Sequence, residues 1–165
     1  MAFQLDVLVT LSVVDRLIDQ EPRNTSEASP TRAESVRRLR AAVRRDLEWL
    51  LNSRRIAVPP DPSLLELNKS AYNYGLPDVS SISLSSVIEQ ERLLSAIEKA
   101  VQLFEPRLTD VRVIPMRDDS KKSIQRLDFR IEALLLMDPA PEHITFDTTL
   151  DAVSQSYKVK TDGAE

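Results

Sequence analysis

The spacing of apolar residues in this chain changes abruptly at one point. Val36, Leu39, Val43, Leu47 and Leu50, and later Leu94, Ile97, Val101 and Phe104, recur at three- and four-residue intervals. Beyond Leu108 the interval becomes two. The first period specifies amphipathic helices and the second half-buried strands. The division falls at Phe104-Glu105-Pro106-Arg107-Leu108. Proline lacks an N–H and clashes with the preceding helical turn, so Pro106 explains the stop. It does not explain the acid and the base on either side. A residue of fixed φ between opposite charges presents both at a pinned angle, which suits a docking contact better than a catalytic centre. Helices first and strands afterwards predict an α+β domain, with N-terminal helices packed on a small, mainly antiparallel C-terminal β-sheet.

Local signals refine this outline. Residues 3–13 alternate as a strand does, yet Leu11, Val14, Leu17 and Ile18 also fit a short helix. Glu21 to Pro30 is polar, holds two prolines and reads as a flexible linker. Thr31 with Glu34 forms a capping box that opens the first long helix, and Pro59-Pro60 forbid its extension. Arg54 and Arg55 lie just beyond its C-terminal end, where cations are favoured. Asp61-Pro62 predicts a further helix through about Tyr72, with Gly75 as its left-handed cap. Ser86 and Glu89 make a second capping box. Among the strands, Leu108–Val113 is closed by Pro115 and a charged turn follows over Met116–Ser123. Leu127–Met137 is the longest alternating run, broken by Pro139 and Pro141. Ile144–Leu150 alternates again, and Tyr157 with Val159 marks a short last strand. The chain thus divides into an N-terminal segment and linker (1–30), one α+β domain (31–160) and a tail (161–165).

The 165 residues suffice to bury one core without staples. Cysteine is absent, which excludes disulfides and thiolate chemistry and fits a reducing compartment. Met1–Val14 is apolar, but no Lys or Arg precedes it, Asp6 interrupts it and no small-residue cleavage site follows. No stretch approaches the roughly 20 apolar residues of a membrane span, so a cytoplasmic location is expected without direct membrane insertion.

The enzymatic inventory is thin. His143 is the only histidine and reads as a solvent-exposed turn residue. No glycine elbow surrounds a serine, and two glycines cannot cradle a phosphate. A metal site would lack Cys and a second His. The 26 Asp and Glu include none that stands out in an apolar pocket, as a glycosidase acid must. We therefore expect no catalytic residues, no cofactor, no metal and no small-molecule substrate.

Charge is unevenly spread. Residues 32–55 hold eight arginines against Glu34, Asp46 and Glu48, a balance of +5 in a chain whose net charge is −4. A basic helix can meet nucleic acid or an acidic protein. Aromatic residues are few and Trp49 lies two places from the apolar stripe, so packing in the core or at its rim is favoured over base stacking. The Glu105–Arg107 pair has its own plain reading, a local ion pair worth under about 1 kcal/mol if exposed. A second Glu-Pro-Arg at residues 21–23 shows that the tripeptide also arises by chance. The sheet's edges could accept a partner strand or be blunted by Pro139, Pro141, Lys158 and Lys160.

Taken in order, five motifs resemble one family. They are Ser35-Val36 with Arg45-Asp46-Leu47-Glu48-Trp49-Leu50-Leu51-Asn52-Ser53-Arg54; Asn73-Tyr74-Gly75-Leu76-Pro77-Asp78; Phe104-Glu105-Pro106-Arg107-Leu108; Leu127-Asp128-Phe129-Arg130-Ile131-Glu132; and Ile144-Thr145-Phe146-Asp147-Thr148-Thr149-Leu150. Over about residues 12–150 the chain resembles the TssE family, baseplate subunits of the bacterial type VI secretion system related to the wedge proteins of contractile phages. The resemblance implies a sheet similar to the sheath subunit's interlocking domain, on which the first sheath ring polymerises. It implies partner contacts at Glu105, Pro106 and Arg107, at Tyr74, Gly75, Leu76, Pro77 and Asp78, and at Ile144 and Phe146. Strand edges around Ile144–Leu150 and Val153–Val159 would exchange strands with sheath arms. The implied partners are other wedge subunits and sheath subunits, with no nucleic acid. The alternatives are a peptidoglycan-cleaving, lysozyme-like enzyme and a nucleic-acid-binding module using the arginine-rich helix.

Overall fold

A computed structural model describes residues 12–17, 31–58, 60–80, 82–116 and 125–161. Among these residues four α-helices precede four strands: α1 (Val13–Leu17), α2 (Arg32–Asn52), α3 (Leu65–Asn68), α4 (Val87–Phe104), β1 (Leu108–Pro115), β2 (Arg126–Leu135), β3 (Glu142–Asp151) and β4 (Ser156–Thr161). The strands pair antiparallel in the order β1-β2-β3-β4, so the expected α+β architecture is the one observed.

Both long helices start where their capping residues stand. The Thr31 hydroxyl accepts from the Glu34 N–H, and the Ser86 hydroxyl from the Glu89 N–H. The Glu89 carboxylate accepts from the Ser83 N–H, while Glu34 pairs with Arg38 one turn on. Each helix then lays its apolar stripe on the same face of the sheet, α4 against β1 and α2 against β4. Val43, Leu47, Ile97 and Val101 from the helices meet Phe129, Ile131, Leu135 and Phe146 from the strands, all 0 % exposed. Alternation along β2 and β3 turns the polar residues outward. There the Arg130 guanidinium grips Asp147 at 2.7 Å and Thr149 donates to Asp128 at 2.6 Å, so charge pairs tile the solvent face.

Three elements depart from the sequence reading. The helix expected from Asp61-Pro62 to Tyr72 is reduced to the single turn of α3 and a 3₁₀ turn, Ala71–Asn73. Asp61 accepts from the Ser63 N–H at 2.8 Å and from its hydroxyl at 2.7 Å, closing a local turn that competes with helix initiation. Neither short turn buries a residue. At the other end, the part of residues 3–13 predicted as strand or helix lies outside the described residues up to Leu11, and from Val13 the chain is helical. The linker 21–30 lies outside them too, as does the charged turn after Met116 up to Ile124. β1 also carries a bulge: its register with β2 shifts between Thr109 and Arg112, and Asp110 there adopts φ 51°.

Candidate functional site

At the end of α4 the chain turns through Glu105-Pro106-Arg107 directly into β1. The Glu105 N–H closes the helix on the Val101 carbonyl, and the Leu108 N–H donates to the Glu105 carbonyl at 3.1 Å. Proline's fixed φ suits the second position of such a turn, and Pro106 stands exposed at its apex. The two flanking charges face each other. Arg107 donates from Nε to Glu105 Oε1 at 2.6 Å and from Nη2 to Oε2 at 2.5 Å, while its N–H also reaches Oε1. Glu105 is only 4 % exposed.

The pair continues into the helices. Arg107 Nη2 donates to Asp46 Oδ2 at 2.6 Å, and Asp46 Oδ1 accepts from Arg45 Nε and Nη2 at 3.0 and 2.8 Å. Arg45 then pairs with Asp15 of α1 at 2.8 Å. Five charges of alternating sign thus join α4, α2 and α1. The hydrogen bonds that Arg107 donates to Glu105, with that to Asp46 behind them, push the guanidinium's ionisation above its ordinary range despite burial. Asp46 flanks the stripe of Val43 and Leu50, three residues after one and four before the other. That position at the margin of an apolar face is the sequence signal for its role, which charge counting alone overlooks.

The second motif meets the same corner. The Tyr74 ring packs edge-on against Phe104, centroids 5.2 Å apart, and its hydroxyl's ionisation is pushed up by burial and then by the charges of Asp46 and Glu105. Gly75 (φ 106°) lets the chain cross the end of α2, where the Leu76 N–H donates to the Ser53 carbonyl at 2.8 Å and the Arg55 N–H to the Leu76 carbonyl at 2.9 Å. Leu76 is core, Pro77 half-buried, and exposed Asp78 accepts from the Ser80 N–H and hydroxyl, which lower its carboxyl below the usual range. Of the sequence-derived residues, Tyr74, Glu105, Pro106 and Arg107 therefore converge. Ile144 and Phe146 do not; they face the core from β3.

β3 is an interior strand. From Phe146 to Leu150 it is paired on both sides, so the edge expected over Ile144–Leu150 belongs instead to β4 and β1. Helix side chains occupy both edges. Asn52, the last residue of α2, accepts from the Tyr157 N–H and donates to its carbonyl, each at 2.9 Å, as a neighbouring strand residue would. Arg44 reaches the Val159 carbonyl at 3.4 Å. Across the sheet, Gln102 donates to the Val111 carbonyl and Glu98 accepts from the Val113 N–H, at 3.3 and 3.1 Å. Asn52→Ala is expected to cost about 1–2 kcal/mol, since both Tyr157 groups lose their partner. Hydrogen exchange at the Tyr157 amide checks it: protection equal to the parent's would mean Asn52 does not hold this edge.

Asp15 anchors α1. Burial alone would raise its carboxyl, but the hydrogen bonds from Ser12 and Arg45 outweigh that and hold it below the ordinary range. A lowered folded value means the stabilisation is complete above the unfolded value of about 4 and is lost as pH falls through the folded one. Acidification below about pH 4 should release α1. Trp49, the only tryptophan, reports it, because the Arg45 guanidinium lies 5.0 Å over its ring. Emission that does not change over this range would count against the anchor.

The same contacts bear on the alternatives. Trp49 is 58 % exposed, outside the core, with one ring face covered by Arg45. Arg38, Arg40, Arg44, Arg45 and Arg54 each pair with a carboxylate, which absorbs much of the basic charge within the chain. Buried Glu105 and half-buried Asp15 carry guanidinium partners rather than lying in apolar pockets. Exposed His143 sits at the start of β3. No helix among the described residues is long and apolar enough to cross a membrane.

Neither a curated protein nor a solved structure matches the chain. The family model described as baseplate wedge protein gp25 matches residues 37–140, more than half of the sequence, from within α2 through β2, a stretch that holds Asp46, Tyr74, Glu105 and Arg107. The family is a structural one, built to contact other baseplate components. The chain belongs to the baseplate wedge protein gp25 family.

Proposed function

We propose that this chain is a TssE-type subunit of a type VI secretion baseplate: a cytoplasmic, non-catalytic protein that docks in the wedge and nucleates the contractile sheath. The observation that carries the reading is the convergence of three motifs on one preassembled corner. Asp46, Tyr74, Glu105 and Arg107 are held by short charged hydrogen bonds and ring packing, with Pro106 exposed at the apex. A surface fixed before its partner arrives spares the ordering cost of association. On this reading other wedge subunits meet the corner around Glu105, Pro106 and Arg107 and the adjoining Tyr74–Asp78 segment. The sheath meets the sheet, with Ile144 and Phe146 supporting it from within and a sheath arm pairing along an edge once its helix side chains move aside.

The test is reconstitution of candidate wedge and sheath subunits with and without this chain. Sheath of normal length and yield in its absence would sink nucleation. Pro106→Glu keeps every bond of the charge network and changes only the exposed apex. It is expected to lose no more than about 1 kcal/mol of stability, the entropy proline withholds from the unfolded chain, while dropping out of wedge complexes; undiminished co-purification would remove the corner from the docking surface.

A further inference from the structure

α4 has a second side, apolar and cationic by turns, that no described element covers. Its core side, Leu93, Leu94, Ile97 and Val101, is spent on the sheet. Ile88, Arg92, Ala96, Lys99 and Leu103 follow one another at three- and four-residue steps along another side. Between this row and the loop Asn73–Pro77 runs an open groove of about 750 Å³. Ala96, Ala100, Phe104 and Pro77 line it with apolar atoms, and Ile88 and Leu103, 63 % and 40 % exposed, stand along it. Arg55, Arg92 and Lys99 also line it, against Glu91 alone. Among the described residues these three cations have no ion-pair partner, in contrast to the paired arginines of α2. Asn73 Oδ1 is buried in the same wall without a donor.

We propose that this groove receives an acidic amphipathic helix of a partner protein. The small side chains of Ala96 and Ala100 admit close approach of a helix, and Ile88, Ala96 and Leu103 recur about every two turns along it, with Arg92 and Lys99 between them. Strand addition is disfavoured here, because the Leu76 N–H and carbonyl are already bonded to Ser53 and Arg55. Three cations against one carboxylate, in a chain of net charge −4, select an acidic occupant. A nucleic acid would want stacking faces, and the groove's one aromatic, Phe104, is packed against Tyr74. The inference is independent of the sheath reading; it shares Gly75 and Pro77 with the segment proposed to meet the wedge, and Pro106→Glu, which leaves the groove intact, tells the two surfaces apart.

The test uses the full chain and two designed helical peptides of about 18 residues. Both carry one leucine stripe; one is flanked by Glu and the other by Lys. The Glu-flanked peptide is expected to bind and to shift amide signals of Ile88–Phe104 and Asn73–Pro77. The double variant Arg92→Glu with Lys99→Glu alters exposed, unpaired side chains, so it should fold as the parent does, lose the Glu-flanked peptide about tenfold and gain the Lys-flanked one. Leu103→Ser should weaken binding of the Glu-flanked peptide to the parent charge pattern without exchanging the preference. Equal binding of both peptides, shifts mapping elsewhere, tighter binding of a single-stranded oligonucleotide at these residues, or a doubled mass in sedimentation that Ala96→Arg reverses would each overturn the proposal.

Discussion

Arg107→Ala is expected to destabilise the protein by about 3 kcal/mol, the lower end of what breaking a buried ion pair costs. The pair's own attraction is not the main quantity. Glu105 is 4 % exposed and both of its oxygens accept from Arg107, so truncation strands a carboxylate that water reaches poorly. Asp46 loses the same guanidinium, though Arg45 still holds its other oxygen. The Arg107 side chain is 26 % exposed, which places the cost at the low end of the range. Arg107→Lys should be intermediate, because a point charge cannot serve both Glu105 oxygens and Asp46 together. Glu105→Ala with Arg107→Ala should cost less than the sum of the two, with a coupling of about 1–3 kcal/mol. Urea unfolding followed by circular dichroism measures all four variants. A midpoint for Arg107→Ala equal to the parent's would show that Glu105 finds water or another donor. The consequence for function is direct: loss of assembly in Arg107→Ala reports folding before it reports docking, so the exposed apex at Pro106 is the cleaner probe of the surface.

Much of the architecture is legible because it depends on local chemistry. Pro106 ends a helix whatever surrounds it, Ser86 and Thr31 cap whatever follows, and alternation from Leu127 to Leu135 assigns a face to each side chain. Alternation does not reveal which strand lies at the edge. That follows from strand order, and the short β2–β3 and β3–β4 connections already favour sequential neighbours, which puts β3 inside. The Asp61-Pro62 signal misled because two local hydrogen-bonding solutions compete there. The turn to Ser63 forms without the apolar face that would hold a long helix against the core. The site was half legible. Glu105 and Arg107 stood out from the sequence, but their orientation depends on Asp46, 61 residues away, and the Asn52 plug of β4 on Tyr157, 105 residues away. Neither distance leaves a periodic trace.

Gly75→Ala is expected to be comparably severe, about 3 kcal/mol or more, for two additive reasons. At φ 106° a side chain is strained in any surroundings. The space is also taken: a Cβ would lie 2.4 Å from the Ser53 carbonyl oxygen and 2.7 Å from its carbon, both backbone atoms that no side-chain rotation can move aside. Relief requires the loop to back away from α2, which breaks the Leu76–Ser53 and Arg55–Leu76 hydrogen bonds and draws the nearly buried Leu76 out of the core. Tyr74 precedes the glycine, so the same retreat would pull its ring from Phe104 and loosen the charged corner. The lower chain entropy of alanine in the unfolded state opposes this cost by at most about 1 kcal/mol and cannot offset a backbone clash. Gly75→Asn separates the two causes, since asparagine tolerates positive φ yet carries the same Cβ. If Asn costs as much as Ala, the approach of Ser53 decides; if Asn is mild, the dihedral does. The contact geometry favours the first, with faster hydrogen exchange at the Arg55 amide in both variants. Full protection of that amide in Gly75→Ala would mean that the loop keeps its place against α2 and that the close approach is not what requires glycine.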